Sequence, residues 1–108
     1  MYRSYDITFE FCDNAKNIKE KVLPLISPTH DIDNVDMEYL LEKLEIKPKE
    51  GIAIYGEEVN YTDELNFTVA INKKEDEMDA LDFIHELYKA MCKKDLRIGL
   101  TVYGYERE

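Results

Sequence analysis

The stretch YRSYDITFEF, residues 2–11, alternates between polar and apolar residues from Ser4 to Phe11. This alternation predicts a half-buried β-strand, with one side against a core and the other toward water. The apolar side carries Tyr5, Ile7, Phe9 and Phe11, and the polar side carries Ser4, Asp6, Thr8 and Glu10. A sheet built around this strand is therefore the starting point for the fold.

Three later segments also read as strands. The segment LNFTVAI, residues 65–71, alternates with Leu65, Phe67, Val69 and Ile71 inward, and LRIGLTVYGY, 96–105, with Ile98, Leu100 and Val102 inward. A short strand GIAIYG, 51–56, precedes the first of these. The intervening GEEVNYTDE predicts a hairpin with a loop longer than usual.

Helical spacing of apolar residues fills the gaps between the strands. Asp13 is a candidate N-cap for a helix containing Ala15, Ile18 and Val22. A second helix near 35–46 has Met37, Leu40, Leu41 and Leu44 on one face, with Asp33 or Asn34 as its cap and Pro48 and Gly51 at its end. A third helix is expected at about 73–94, with Asn72 as N-cap and Glu75 three positions into the first turn.

The predicted order is therefore β-α-α-β-β-α-β within one α+β domain, residues 1–108. Two right-handed β-α-β crossovers that meet at a hairpin give the ferredoxin-like split βαβ sandwich, a four-stranded antiparallel sheet with helices on one face. The additional helix near 35–46 is a departure from the plain arrangement. It either covers an edge of the sheet or extends the helical layer.

The composition excludes several classes of protein. The net charge is −10, from 24 acidic and 14 basic residues, which disfavours direct binding to nucleic acid or to an anionic membrane. No apolar run reaches the ~20 residues that span a bilayer, and the N-terminal stretch has no apolar signal-peptide core, so a cytoplasmic location is expected. Two cysteines, Cys12 and Cys92, are too few for a disulfide framework and are expected to be half-buried thiols.

The acidic surplus is concentrated in the middle of the chain. Residues 31–64 contain eleven acids and three bases, a net charge of −8, whereas residues 1–30 are neutral and residues 73–108 sum to −2. An acidic protein-binding surface is therefore expected there. Its candidate residues are Asp31, Asp33, Asp36, Glu38, Glu42, Glu45, Glu57, Glu58, Asp63 and Glu64.

Catalytic and metal-binding motifs are absent from the sequence. The segment HDIDNVDMEYLLE, 30–42, faintly resembles a calcium-binding loop, but Asp36 stands where the loop requires glycine and Val35 where it requires an oxygen ligand. Neither serine lies in a nucleophile-elbow motif, and the four glycines form no phosphate-binding loop. We therefore expect no enzymatic activity, no metal and no cofactor.

The polar side of the predicted sheet is a second candidate surface. With the register above, it carries Asp6, Thr8, Tyr55, Asn66, Thr68, Thr101, Tyr103 and Tyr105. Exposed tyrosines are amphipathic and are enriched at protein interfaces, although a polar sheet face can also simply face water.

Two functional hypotheses follow from these patterns. The first is a small acidic protein that binds and inhibits a protein partner with a basic surface, of the inhibitor, immunity or phage anti-defence type, with mimicry of nucleic acid as its sharpest form. The alternative is a ferredoxin-like regulatory module that binds a small molecule or self-associates, for example as a homodimer.

Overall fold

The computed structural model describes residues 2–72 and 77–107, with side chains described between Arg3 and Glu106. The strands are β1 Tyr2–Phe11, β2 Ile52–Asn60, β3 Glu64–Ile71 and β4 Ile98–Arg107. A helical segment after β1 consists of α1 Ala15–Asn17, a π-helix Ile18–Val22 and α2 Leu23–Ile26. The remaining helices are α3 Met37–Lys43 and α4 Glu77–Cys92.

The four strands form one sheet in the order β2-β3-β1-β4, and every neighbouring pair is antiparallel. This arrangement confirms the predicted ferredoxin-like split βαβ fold. The additional helix α3 contacts β2 and α2, so it lies beside the β2 edge of the sheet. The chain is therefore a two-layer α+β structure with helices on one face.

The core lies between the sheet and the helices. The four apolar residues of β1 and the four of β3 are buried as predicted, at 3% exposure or less. Helix α4 buries Ala80, Phe83, Ile84, Leu87 and Met91, which recur at helical spacing along one side. Each fully buried large apolar side chain contributes roughly 1.5–3 kcal/mol, so these two strands and one helix carry much of the stability.

An aromatic cluster centred on Phe9 joins the sheet to α4. The Phe9 ring packs edge-on against Phe67, with ring centroids 5.5 Å apart, and lies 6.1 Å from the Tyr88 ring. The Tyr88 hydroxyl donates a hydrogen bond to the Ile98 carbonyl at 2.8 Å. The hydroxyl of this half-buried tyrosine is thus hydrogen-bonded, while its ring packs against the core.

The predicted cap of the first helical segment is wrong by one residue. Asn14, not Asp13, caps the first helical segment, because its side chain accepts a hydrogen bond from the Asn17 amide. Asp13 instead accepts from the Asn17 side chain and the Asn14 amide, and these two bonds lower its pKa. The described part of α4 begins at Glu77, so the predicted cap with Glu75 lies outside the described residues.

Helix α3 is shorter than expected, and Asp36 caps it rather than the predicted Asp33 or Asn34. This side chain accepts from the amides of Glu38 and Tyr39, at 3.0 and 3.4 Å, because Asp36 has an extended backbone directly before the first helical turn. At the other end, Glu45 has a φ of 57° and the Ile46 amide bonds back to the Leu41 carbonyl. This left-handed C-terminal cap ends the helix before Pro48 and Gly51 are reached.

The hairpin differs most from the prediction. Strand β2 continues to Asn60, and the predicted long loop is reduced to the three residues 61–63. A bulge between Tyr55 and Glu58 interrupts the register, and Gly56 there has a φ of 69°. Glycine adopts this left-handed conformation without a steric penalty, which allows the strand to continue beyond the irregularity.

Three side chains are exposed differently from the prediction. Ser4, expected on the solvated side, is fully buried, and its neighbours across the sheet are Ala70 and Tyr105. Cys12 is exposed rather than half-buried. Val102 is on the helix-facing side yet 39% exposed, because it belongs to the edge strand β4.

Candidate functional site

The sheet face opposite the helices is the main candidate site, and none of the described helices covers it. Ladder register places neighbouring side chains of different strands on the same face. Asp6 is opposite both Thr68 and Tyr103, and Thr8 is opposite both Asn66 and Thr101. All eight residues that the sequence predicts for this face lie on it: Asp6, Thr8, Tyr55, Asn66, Thr68, Thr101, Tyr103 and Tyr105.

Asp6, in the middle of β1, is the centre of a hydrogen-bond network on this face. Its Oδ1 accepts from the Thr68 hydroxyl at 2.9 Å and from the Tyr105 hydroxyl at 3.1 Å. Hydrogen bonds to a charged acceptor are stronger than those between neutral groups and fix the carboxylate in place. Both bonds go to the same oxygen. The second carboxylate oxygen, Oδ2, receives no hydrogen bond from the described residues and can therefore accept one from a partner.

A shallow depression lies beside Asp6, over β1, β2 and β3. It has a volume of about 350 Å³ and is lined by Asp6, Thr8, Asn66, Glu58 and Asn60, among others. The Thr8 hydroxyl donates to Asn66 Oδ1 at 2.6 Å, and Asn60 Nδ2 donates to Glu58 Oε1 at 3.3 Å. The lining is therefore polar and held by cross-strand and local hydrogen bonds.

The bulge in β2 determines which acids line this depression. In a regular strand Glu58 would face the same way as Gly56, away from Tyr55. The irregularity between Tyr55 and Glu58 places Glu58 opposite Asn66 and Val59 opposite Leu65. Consequently Glu58 is on the open face and Val59 packs against the core.

Tyrosines supply the apolar surface of the open face. Tyr103 is 66% exposed and Tyr55 40% exposed. The rings of Tyr103 and Tyr105 lie 5.8 Å apart at an angle of 36°, and the Tyr105 hydroxyl is held by Asp6. Partly fixed aromatic rings lose little side-chain freedom on binding, which favours their use at an interface.

The open face is acidic and carries no base among its described side chains. Its four carboxylates come from three strands: Asp6 and Glu10 from β1, Glu58 from β2 and Glu64 from β3. Glu10 lies directly opposite Glu64, and like charges opposite each other in a sheet are destabilising. Glu10 was missed as a site residue, although the alternation of residues 4–11 already places it beside Asp6 and Thr8.

The ten acids expected to form a surface in the middle of the chain are distributed over several places. Asp36, Glu38 and Glu57 line a groove of about 380 Å³ between α3 and β2, whereas Glu58 and Glu64 are on the open face. The others are located as follows: Asp31 and Asp33 in the loop before α3, Glu42 on α3, Glu45 just after it and Asp63 in the hairpin turn.

Several of these acids have local structural roles. Asp36 caps α3, and Asp31 accepts a hydrogen bond from the Asp33 amide at 3.0 Å. The Asp63 carbonyl accepts from the Phe11 amide at 2.8 Å. Glu45 lines a second groove that also contains Lys89 and Lys93. The middle segment therefore does not present one continuous acidic patch.

The described residues contain no group of three or more histidine, cysteine or acidic side chains arranged to hold a metal ion. Across the same residues, no helix has the length and apolar character needed to cross a membrane.

Comparison with known proteins identifies a similar fold. No protein-family model matches the chain, and neither does any curated protein sequence. A solved structure, the de novo designed protein Foldit4, is similar over the full length of both chains, with a TM-score of 0.60 and 12% sequence identity. At this identity the similarity concerns the fold alone.

Proposed function

We propose that this protein is a small acidic inhibitor that binds a basic surface of a protein partner, without enzymatic activity, and that it binds through the open face of its sheet. The proposal rests on one observation. Four carboxylates, Asp6, Glu10, Glu58 and Glu64, share this face with three tyrosines, and no described side chain on the face is basic.

The geometry supports recognition of a protein rather than of a small molecule. The face is broad, and its aromatic rings lie next to its carboxylates, a combination suited to arginine and lysine side chains. Arginine binds carboxylates with two parallel hydrogen bonds and stacks on aromatic rings. A basic partner would also relieve the repulsion between Glu10 and Glu64, so binding recovers free energy that the isolated protein lacks.

The specific form of this proposal is competition with nucleic acid. Surfaces of the required charge, rich in lysine and arginine on one face, are typical of nucleic-acid-binding proteins. A negatively charged sheet face that occupies such a surface excludes the nucleic acid, as expected for an immunity or anti-defence protein. Because the attraction is electrostatic, binding should weaken steeply as the salt concentration rises.

Affinity capture from the lysate of the source organism tests the proposal. The immobilised protein is washed at low and high salt, with and without duplex DNA as competitor. We expect a nucleic-acid-handling protein that elutes with salt and with DNA. If DNA does not displace the captured protein, competition with nucleic acid is refuted. If the captured protein is retained at high salt, electrostatic attraction as the basis of binding is refuted.

A matched pair of charge-reversal variants locates the binding surface. Glu10→Lys with Glu58→Lys reverses two acids of the open face, and Glu38→Lys with Glu42→Lys reverses two exposed acids of α3. The open-face variant should bind the captured partner about tenfold or more weakly, whereas the α3 variant should change the affinity little. The opposite result would place the interface on α3 and refute the proposed site.

The regulatory-module alternative is supported by the depression beside Asp6. Its volume of about 350 Å³ and its polar lining suit a small hydrogen-bonding molecule. This alternative predicts that a metabolite raises the melting temperature with little dependence on salt. Thermal-shift screening of the wild type against Thr8→Val, which removes the donor to Asn66, separates it from the inhibitor proposal.

A further inference from the structure

The two edges of the sheet are protected very differently. Edge strand β2 has a bulge after Tyr55, two consecutive acids in Glu57 and Glu58, and α3 beside it. Edge strand β4 pairs with β1 without a register shift along its whole length, and its segment IGLTVYGY, 98–105, has no charge and no proline. Natural proteins usually block such an edge, because its free backbone groups pair with another strand.

The direction of the free backbone groups on β4 follows from one hydrogen bond. The Cys12 amide donates to the Arg97 carbonyl at 2.8 Å, and these residues continue the pairing of Phe11 with Ile98. Hydrogen-bonded residues alternate along an antiparallel ladder. Odd-numbered residues of β4 therefore bond to β1, and even-numbered residues direct their amides and carbonyls outward. These are Ile98, Leu100, Val102, Gly104 and Glu106.

Side chains along this edge are also incompletely covered. Val102 is 39% exposed although it faces the helical layer, and Leu100 is only half-buried. On the open face, the neighbouring Tyr103 is 66% exposed. The helices thus leave the uncharged β4 edge partly uncovered, with exposed apolar groups on both faces of the strand.

We propose that β4 pairs in antiparallel fashion with β4 of a second copy of this chain, so that Val102 lies opposite Val102 on a two-fold axis perpendicular to the sheet. This symmetry keeps the helices of both copies on one side and forms a continuous eight-stranded sheet. About ten backbone hydrogen bonds join the two edges in this register. The inference concerns the backbone edge of β4 rather than the open face, and it does not rest on the proposed function.

The sequence of β4 is self-complementary in this register. Tyr105 lies opposite Gly99 of the second copy, and Leu100 lies opposite Gly104. An aromatic ring packed across a glycine on a neighbouring strand covers the exposed backbone and stabilises the pair. Tyr105 and Leu100 thus each meet the space left by a glycine, which argues for a second copy rather than an unrelated strand.

Charge reversal at the two-fold axis tests the proposal. Val102→Lys and Val102→Glu each place like charges opposite one another, so each variant alone should be monomeric, and an equimolar mixture should restore the dimer. Ala53→Lys and Ala53→Glu are matched controls, because Ala53 is an exposed residue on the other edge strand. Sedimentation velocity over a concentration series measures the association of each.

The wild type should dimerise with a Kd of ~1–100 µM, as expected for a small interface. Val102→Pro should also be monomeric yet folded by circular dichroism, because proline there removes only an outward-directed amide. A wild type that stays monomeric across this range overturns the proposal. So does a dimer that survives Val102→Lys, a mixture that fails to associate, or a dimer that is lost in the Ala53 controls.

Discussion

Two glycines in β4 allow a direct measurement of how tightly the Tyr5 side chain of β1 packs against β4. A Cβ atom at Gly104 would lie 3.1 Å from Tyr5 Cε1 and 3.2 Å from Cδ1, closer than ordinary van der Waals contact. At Gly99 a Cβ would lie 3.8 Å from Cβ of Glu10, an ordinary distance. Gly104→Ala and Gly99→Ala are therefore the same chemical change in the same strand, with and without a steric conflict.

The expected magnitudes follow from two effects of opposite sign. Replacing glycine by alanine within a strand stabilises by ~0.5–1 kcal/mol, because the unfolded chain loses conformational freedom. Gly99→Ala should show this gain alone. At Gly104 the Tyr5 ring is only 3% exposed and has little room to move, so overpacking costs ~1–3 kcal/mol. Gly104→Ala should therefore be less stable than Gly99→Ala by ~1–3 kcal/mol.

Urea unfolding of both variants, at a protein concentration where the monomer dominates, gives the two free energies of unfolding. Combining each variant with Tyr5→Leu completes a double-mutant cycle, because the smaller side chain removes the atoms in conflict. With Tyr5→Leu present, the difference in the free energy of unfolding between Gly99→Ala and Gly104→Ala should become smaller. Equal stabilities of Gly99→Ala and Gly104→Ala with Tyr5 present would refute the close packing of Tyr5 on β4.

Three further predictions concern caps, turns and pH. Asp36→Ala should lower the free energy of unfolding by ~1 kcal/mol through loss of the α3 cap, and Asp36→Asn should restore most of it in thermal unfolding. Thr62→Gly should stabilise by ~0.5–1 kcal/mol in urea unfolding, because a β-branched residue is strained at its φ of 65°. Burial, and then the Glu77 carboxylate, raise the pKa of Tyr5. The contribution of the Tyr5 hydroxyl to the free energy of unfolding is therefore complete below the unfolded pKa of ~10 and is lost as the pH rises through the folded pKa. When unfolding is measured from neutral to alkaline pH, Tyr5→Phe should not show this loss.

The strands that carry alternating residues were predictable from sequence because alternation reports burial directly. Residues 4–11 and 65–71 show it without interruption, and their inward side chains are the centre of the core. The element order then limits the topology to few arrangements, since crossovers are right-handed and sequential strands form hairpins. Local periodicity and chain connectivity were sufficient for this fold.

The hairpin and the caps were less predictable because they depend on backbone conformation. The segment EEVN, 57–60, shows no alternation, yet it is strand, because the bulge at Gly56 changes which side chains face inward. Asn14, Asp33 and Asp36 can all cap a helix chemically. Which of them does so depends on where the first turn forms, and that is determined by tertiary packing.

The candidate site was predicted only in part because charge summed along a chain ignores direction. The acids of segment 31–64 are instead distributed over the groove beside α3, the open face, and the loops and turn on either side. The open face instead gathers acids from three strands, including Glu10 from a segment with no net charge. Strand register, rather than composition, determines where the negative charge accumulates.

The neutral β4 edge and the acidic face respond to salt in opposite directions. Each copy carries a net charge of −10, so two copies repel each other, and added salt screens this repulsion over ~8–10 Å. Dimerisation through β4 should therefore strengthen as salt rises. Binding of a basic partner to the open face should weaken over the same range, because salt screens an attraction there. A partner that binds more weakly while the dimer tightens would show that edge and face act independently within one sheet.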